Sequence, residues 1–179
     1  MDDDVQMFAN NYLETIGKAN ADNLFKFLLV FSRFECALKA TLVFAKTNRI
    51  PIEPNWVSFI EKNEKFYQET NKDNIKSSIN YILTHPPKIQ VFNSMENKIF
   101  WVDNNNIKEE HSELCKIVNH IKTVRNNLFH GGKFEFIGYD SVGVEEISRN
   151  HELIEHSIKI LEMLIGFNSD VRKAYTESV

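Results

Sequence analysis

The segment from Thr123 to Phe134, TVRNNLFHGGKF, brings together a cationic and a titratable side chain close to the end of a predicted helix. Arg125 carries a forked and permanently charged guanidinium, which can bind a phosphate and stabilise charge that develops on it. His130 follows five residues later, and an imidazole with a pKa of about 6.5 can accept and donate protons near neutral pH. These residue types can therefore stabilise negative charge and transfer protons.

Simple helix geometry does not bring Arg125 and His130 together. At about 100° per residue, the two side chains lie about 140° apart around an ideal helix. They converge only if the last turn loosens at Gly131 and Gly132, or if a second subunit completes the site. A structural interpretation also stands, in which Arg125 is only an ion-pair partner and His130 only caps the helix C-terminus.

Two charged side chains fall inside predicted apolar stripes. Arg125 lies within the inward stripe of its own helix, and Glu35 does so on the first long helix, where the predicted inward residues are Leu24, Leu28, Phe31, Glu35, Leu38, Leu42 and Ala45. An isolated buried ion costs several kcal/mol, so each charge needs a partner or a route to water. We therefore predict a structural ion pair between Glu35 and Arg125.

The composition is that of a folded globular chain. With 179 residues and a mass of 20.9 kDa, residues 1–179 are expected to form one domain. No apolar run approaches the roughly 18 residues that cross a bilayer, and the first residues, MDDDVQMF, are acidic where a secretory signal is basic. We therefore expect a cytoplasmic protein without membrane contact. The net charge of −4 argues against broad coating of nucleic acid, but it leaves room for a small basic cleft.

The hydrophobic periodicity predicts an all-α fold with a short β-hairpin excursion at residues 88–106. The hairpin strands are IQVF, from Ile89 to Phe92, and KIFWV, from Lys98 to Val102. Residues 133–143 are expected to form a loop or a second short hairpin. The predicted helices run from about Asp22 to Thr47, Trp56 to Thr70, Asn74 to Thr84, Glu109 to Gly131 and Glu146 to Tyr175.

The RNNLFH motif resembles the signature of the HEPN superfamily, in which an arginine and a polar residue are followed by three residues and a histidine. The FSRFECALK segment on the first long helix also looks like the corresponding HEPN helix. The resemblance implies an antiparallel bundle of four to five helices that dimerises with the motif helices facing each other. Many HEPN proteins are metal-independent ribonucleases that serve as toxins or in defence against phage.

The resemblance also assigns roles within the motif. His130 would be the general acid or base, Arg125 would bind the scissile phosphate, and Asn126 would orient the histidine or the phosphate. Lys133 is a further substrate-binding candidate, chosen only for its charge and its proximity to the motif. The expected partners are RNA, a second copy of the chain and an antitoxin of the nucleotidyltransferase type, with no cofactor and no metal.

Two other functions remain open at this point. A non-catalytic HEPN module would bind a nucleotide or a partner protein through the same cleft. A helical interaction protein would carry the motif by accident.

Other reactive side chains are given structural roles. His111 and Cys115 lie four residues apart on a predicted helix, but no second pair of ligands accompanies them, so no zinc site is predicted. Cys36 is interpreted as a small packing residue, and His151 and His156 as solvated side chains.

Overall fold

The structure is a computed structural model that describes residues 7, 10–11, 13–14, 16–48, 50–96, 98–129 and 144–177. The described part of the chain is mostly helical and contains two small antiparallel sheets, β1 (Ala45–Lys46) with β2 (Glu53–Pro54), and β3 (Ile89–Asn93) with β4 (Lys98–Val102). None of the described helices has both the length and the apolar character needed to cross a bilayer. The α-helices whose bounds the structure gives within its described residues are α1 (Lys18–Ala40), α2 (Trp56–Glu69), α3 (Lys76–Thr84), α4 (Glu113–Phe129), α5 (Val144–Ile165) and α6 (Ser169–Thr176).

Helix α1 lies at the centre of the packing. It contacts α5 and α6, while α3 packs against α5, and α4 lies against α2 and α3. Aromatic rings fill the space between α1 and α2: the Phe34 ring meets Trp56 and Phe59 edge-on, at centroid distances of 5.5 Å and 5.4 Å. Such edge-on contacts add to the free energy gained by burying the rings. The predicted helical fold with a hairpin excursion is thus confirmed.

The inward face of α1 is displaced from the predicted stripe. The fully buried side chains of this helix are Phe27, Phe31, Phe34, Ala37 and Leu38. Leu24 and Leu28 are only partly buried, and Glu35 lies at the border of the apolar face rather than within it. The bulky Phe27 and Phe34 rings take the interior because they bury more apolar area than the leucines.

The limits of α1 also differ from the prediction. The helix begins after Gly17, whose φ of +76° lies in the left-handed region that glycine adopts readily, and not at an N-cap formed by Asp22. It ends at Ala40 because Thr41 takes an extended conformation and donates from Oγ1 to the Ala37 carbonyl at 2.9 Å. The residues up to Thr47, predicted to be helical, instead form a 3₁₀ turn and strand β1. Helix α4 likewise begins at Glu113 and not at Glu109.

The predicted last helix is two helices. It is interrupted between Ile165 and Ser169, and Asn168 is extended, with a φ of −134°. The Asn168 Oδ1 atom accepts hydrogen bonds from the backbone N–H groups of Asp170 at 3.0 Å and Val171 at 3.1 Å. Asn168 is therefore an N-cap that starts α6 in a new direction. The prediction of one helix was wrong because the apolar periodicity continues across the cap.

Replacing Asn168 by alanine is expected to lower the free energy of unfolding by about 1 kcal/mol, since two N–H groups lose their acceptor. Urea unfolding followed by circular dichroism measures this loss. Asn168→Asp keeps the acceptor and should retain the wild-type stability. Equal destabilisation by both substitutions would show that the cap does not contribute.

The β-hairpin is attached to α4 at both of its ends. Its register pairs Ile89 with Val102 and Asn93 with Lys98. The Asn127 side chain donates from Nδ2 to the Lys88 carbonyl at 2.8 Å, just before β3. Asn104, just after β4, donates from Nδ2 to Thr123 Oγ1 at 3.3 Å. The hairpin is therefore fixed to α4 on both sides of Arg125.

Candidate active site at the end of helix α4

Arg125 and Glu35 form an ion pair between α4 and α1. The Arg125 Nη2 atom lies 3.5 Å from Glu35 Oε2, and 31 % of the arginine side chain and 22 % of the glutamate side chain are exposed. The pair predicted from the two stripes is therefore present. It forms at the solvent-facing border of the core, which gives both charges contact with water and reduces the desolvation cost of the pair.

Arg125 is further held by its neighbours on α4. Its Nη1 atom donates to Asn126 Oδ1 at 3.1 Å. The Arg125 Cζ atom lies 4.6 Å from the ring centroid of Phe129, one turn later, and 5.7 Å from that of Phe31 on α1. Both distances are within the range of cation–π attraction. The guanidinium is therefore oriented by a carboxylate, an amide and two aromatic rings.

The arrangement leaves hydrogen-bonding capacity on Arg125. A guanidinium has five N–H donors, and the described contacts with Glu35 and Asn126 use at most two of them. Phe129, whose side chain is 52 % exposed, lies beside the guanidinium and offers a flat apolar surface. Chemically, this combination can bind an oxyanion and stack an aromatic group next to it.

His130 and Lys133, the other predicted members of the site, lie outside the described residues. The same holds for the loop predicted at residues 133–143. Helix α4 is described up to Phe129, the residue before His130. The roles of Arg125, Asn126, His130 and Lys133 therefore stay predictions, and only the surroundings of Arg125 and Asn126 are described.

A second cation lies one turn before Arg125. Lys122 is half-buried on α4, and its Nζ atom donates to Asn119 Oδ1 at 3.3 Å. Burial lowers the pKa of Lys122, and the charge of Lys46 on β1 lowers it further, whereas Glu35 and Cys115 act in the opposite direction. Lys46 itself lies 3.3 Å from Glu53 Oε2. Arg125 and Lys122 of α4 thus both interact with the Glu35 carboxylate, while Lys46 acts on Lys122 as a like charge.

Sequence reasoning missed these surrounding residues. Lys122 and Phe129 were detectable in principle, since they lie three residues before and four residues after Arg125, the spacings that bring helical side chains together. Lys46 has no such local signal. It reaches the site because α1 ends early and the chain turns back through β1.

Two structural interpretations of other side chains were wrong. Cys36 is exposed, because it lies two residues from the buried Phe34 and Leu38 and therefore on the opposite side of α1. His151 and His156 are half-buried, and His156 Nδ1 is hydrogen bonded to Ser78 Oγ at 3.0 Å. The pKa values of both histidines are lowered, mainly by burial.

Among the described residues, no group of three or more His, Cys, Asp or Glu side chains is placed to hold a metal ion.

Comparisons with protein-family models, with curated proteins and with solved structures found no match to this chain. The resemblance to the HEPN superfamily stays a prediction that the motif residues carry.

Proposed function

We propose that this chain is a metal-independent endoribonuclease of the HEPN type, working as a homodimer whose two motif helices line one cleft. The observation that carries the proposal is the partly open Arg125 guanidinium, oriented by Glu35 and Asn126 at the end of α4. A preorganised cation of this kind suits the charge that develops on a phosphate during cleavage. His130 follows the last described residue of α4 and would move the protons.

In the proposed reaction, the ribose 2′-oxygen attacks the adjacent phosphorus and the bond from phosphorus to the 5′-oxygen breaks. The imidazole of one His130 takes the proton of the 2′-hydroxyl, and that of a second copy gives a proton to the departing 5′-oxygen. Arg125 stabilises the negative charge on the phosphate oxygens between these steps. The products are a 2′,3′-cyclic phosphate and a 5′-hydroxyl.

The biological setting we propose is a toxin–antitoxin or phage-defence system in the cytoplasm. A nucleotidyltransferase-type antitoxin is the partner that the HEPN resemblance implies. RNA is the substrate because only RNA supplies the 2′-hydroxyl nucleophile that this chemistry uses.

The proposal is tested by incubating the purified chain with RNA in excess EDTA and analysing the product ends. Cleavage that leaves 2′,3′-cyclic phosphates, from a protein that is dimeric by light scattering, is the expected result. Intact RNA, or a strictly monomeric protein, would contradict the proposal.

A second candidate is a non-catalytic HEPN module that binds a nucleotide or a protein. The Glu35–Arg125 ion pair favours it, since the carboxylate partly neutralises the guanidinium that catalysis would use. Nucleotide or protein binding by a chain that leaves RNA intact would identify this function instead.

A further inference from the structure

The cations near Arg125 lie on two separate elements, α4 and β1. Lys122 and Arg125 are three residues apart on α4, which places their Cβ atoms about 5–6 Å from each other on one side of the helix. Glu35 on α1 forms the ion pair with Arg125 and also acts electrostatically on Lys122. Lys46 approaches from β1 and acts on Lys122 as a like charge. We call Lys46, Lys122 and Arg125 the cationic track.

The environment of Lys122 is unfavourable for a lysine without a ligand. The side chain is half-buried, next to a second lysine, and its described hydrogen bond goes to the neutral amide oxygen of Asn119. Desolvation and a nearby like charge both disfavour the charged ammonium. The Glu35 carboxylate stabilises the charged form of Lys122 only in part, because it is already paired with Arg125. An anion bound at Lys122 would supply the missing compensation.

We propose that Lys122, with Lys46 behind it, binds the phosphate of single-stranded RNA that neighbours the phosphate held by Arg125. The inference rests on the proposed function, since it takes the Arg125 site as the place where RNA binds. Two long cationic side chains one helical turn apart can contact successive phosphates of one strand. Phe129 on the other side of Arg125 provides a ring on which a base can stack. The track therefore selects a polymer with several phosphates over a mononucleotide.

The proposal is tested by binding, with a probe that cannot be cut. A fluorescent 2′-O-methyl oligoribonucleotide lacks the free 2′-hydroxyl, so its dissociation constant is measurable whether or not the protein cleaves RNA. Lys122→Gln should weaken binding about tenfold at low salt, because one charged hydrogen bond is lost. The slope of the logarithm of affinity against the logarithm of salt concentration should fall by about 0.7.

Lys159→Gln is the matched control. Lys159 is an exposed lysine of α5 that pairs with Glu155 at 2.7 Å, and its loss should leave affinity and salt slope at their wild-type values. Affinity and slope that are the same in Lys122→Gln as in the wild type would overturn the proposal. If RNA is nevertheless cleaved, the phosphate site at Lys122 is refuted and the proposed ribonuclease activity is not. If binding depends on Lys122 but RNA is not cleaved, the ribonuclease activity is refuted and the cationic track is supported.

A second measurement needs no substitution. Burial and Lys46 lower the pKa of Lys122, and a bound phosphate should raise it by favouring the charged ammonium. Titration of the Lys122 Cε resonance by NMR, with and without the oligoribonucleotide, reports this shift. An unchanged titration on saturation with the probe would show that no phosphate contacts Lys122.

Discussion

Arg125→Ala is expected to lower the rate of RNA cleavage by about a hundredfold to a thousandfold, which is the usual effect of losing one preorganised donor to a developing oxyanion. The measured quantity is the turnover rate at saturating RNA in excess EDTA. Arg125→Lys should also lose most of the activity, because an ammonium keeps the charge but not the forked geometry. A turnover rate of Arg125→Ala equal to that of the wild type would show that Arg125 is not part of the active site.

The loss of activity in Arg125→Ala should not come from unfolding. The Arg125–Glu35 pair has a separation of 3.5 Å and both side chains are partly exposed, so it contributes at most about 1 kcal/mol to stability. A native circular dichroism spectrum and a nearly unchanged urea midpoint are expected for the variant. Arg172→Ala, which removes an exposed arginine of α6, is the matched control and should retain full cleavage.

His130→Ala should reduce turnover by about a hundredfold to ten-thousandfold, the range for a general acid or base. His111→Ala is the control, since His111 lies before α4 and accepts a backbone hydrogen bond from Lys108 at 3.2 Å. If both imidazoles act in one shared cleft, dimers formed from one wild-type chain and one His130→Ala chain should be nearly as inactive as the His130→Ala homodimer. Mixed dimers that keep half of the wild-type activity would contradict the shared cleft.

The second large effect is a loss of stability at acidic pH that comes from His120. This side chain of α4 is only 6 % exposed, and its Nδ1 atom has no hydrogen-bond partner in the described part of the chain. Burial, with a smaller contribution from the charge of Lys116, lowers the pKa of His120 to about 4 from its ordinary value of 6.5. The folded protein therefore holds this imidazole in its neutral form.

Because the pKa of His120 is lower in the folded state, the unfolded chain takes up the proton first as the pH falls. The stabilising contribution is fully present above the ordinary value and disappears as the pH approaches about 4. A difference of this size corresponds to about 3 kcal/mol in the free energy of unfolding. Urea unfolding at a series of pH values measures it.

His120→Leu removes the titrating group and should flatten much of this pH dependence. Burial also lowers the pKa values of His151 and His156, so a smaller dependence of the same sign should remain. His111→Leu serves as the control and should keep the full dependence. If the free energy of unfolding of His120→Leu depends on pH as strongly as that of the wild type, another group causes the loss of stability at acidic pH.

Helix α2 and the β3–β4 hairpin were predictable because their signals are local. Trp56 follows a proline-containing turn and begins an apolar pattern of helical period, and the hairpin strands have β-prone residues on both sides of a short turn. The end of α1 had no comparable local signal. Its apolar pattern continues past Ala40, whereas the chain leaves the helix at Thr41 and then pairs as β1 with β2.

The candidate site was also predictable only where its signal is local. The Glu35–Arg125 pair follows from helical spacing, since each charge interrupts an apolar pattern and calls for a partner. The position of Lys46 beside Lys122 depends on where β1 lies in space, which helix periodicity does not encode. The buried state of His120 was also hidden, because a single histidine among apolar residues reads equally well as a border residue.

The attachment of the hairpin to α4 has a mechanical consequence. Asn127 and Thr123, on either side of Arg125, are hydrogen bonded to the residues that precede β3 and follow β4. Phe92 and Met95, at the opposite end of the hairpin, are exposed. A protein that binds the exposed end of the hairpin and displaces it would therefore pull on the turn of α4 that carries Arg125, through the hydrogen bonds of two side-chain amides.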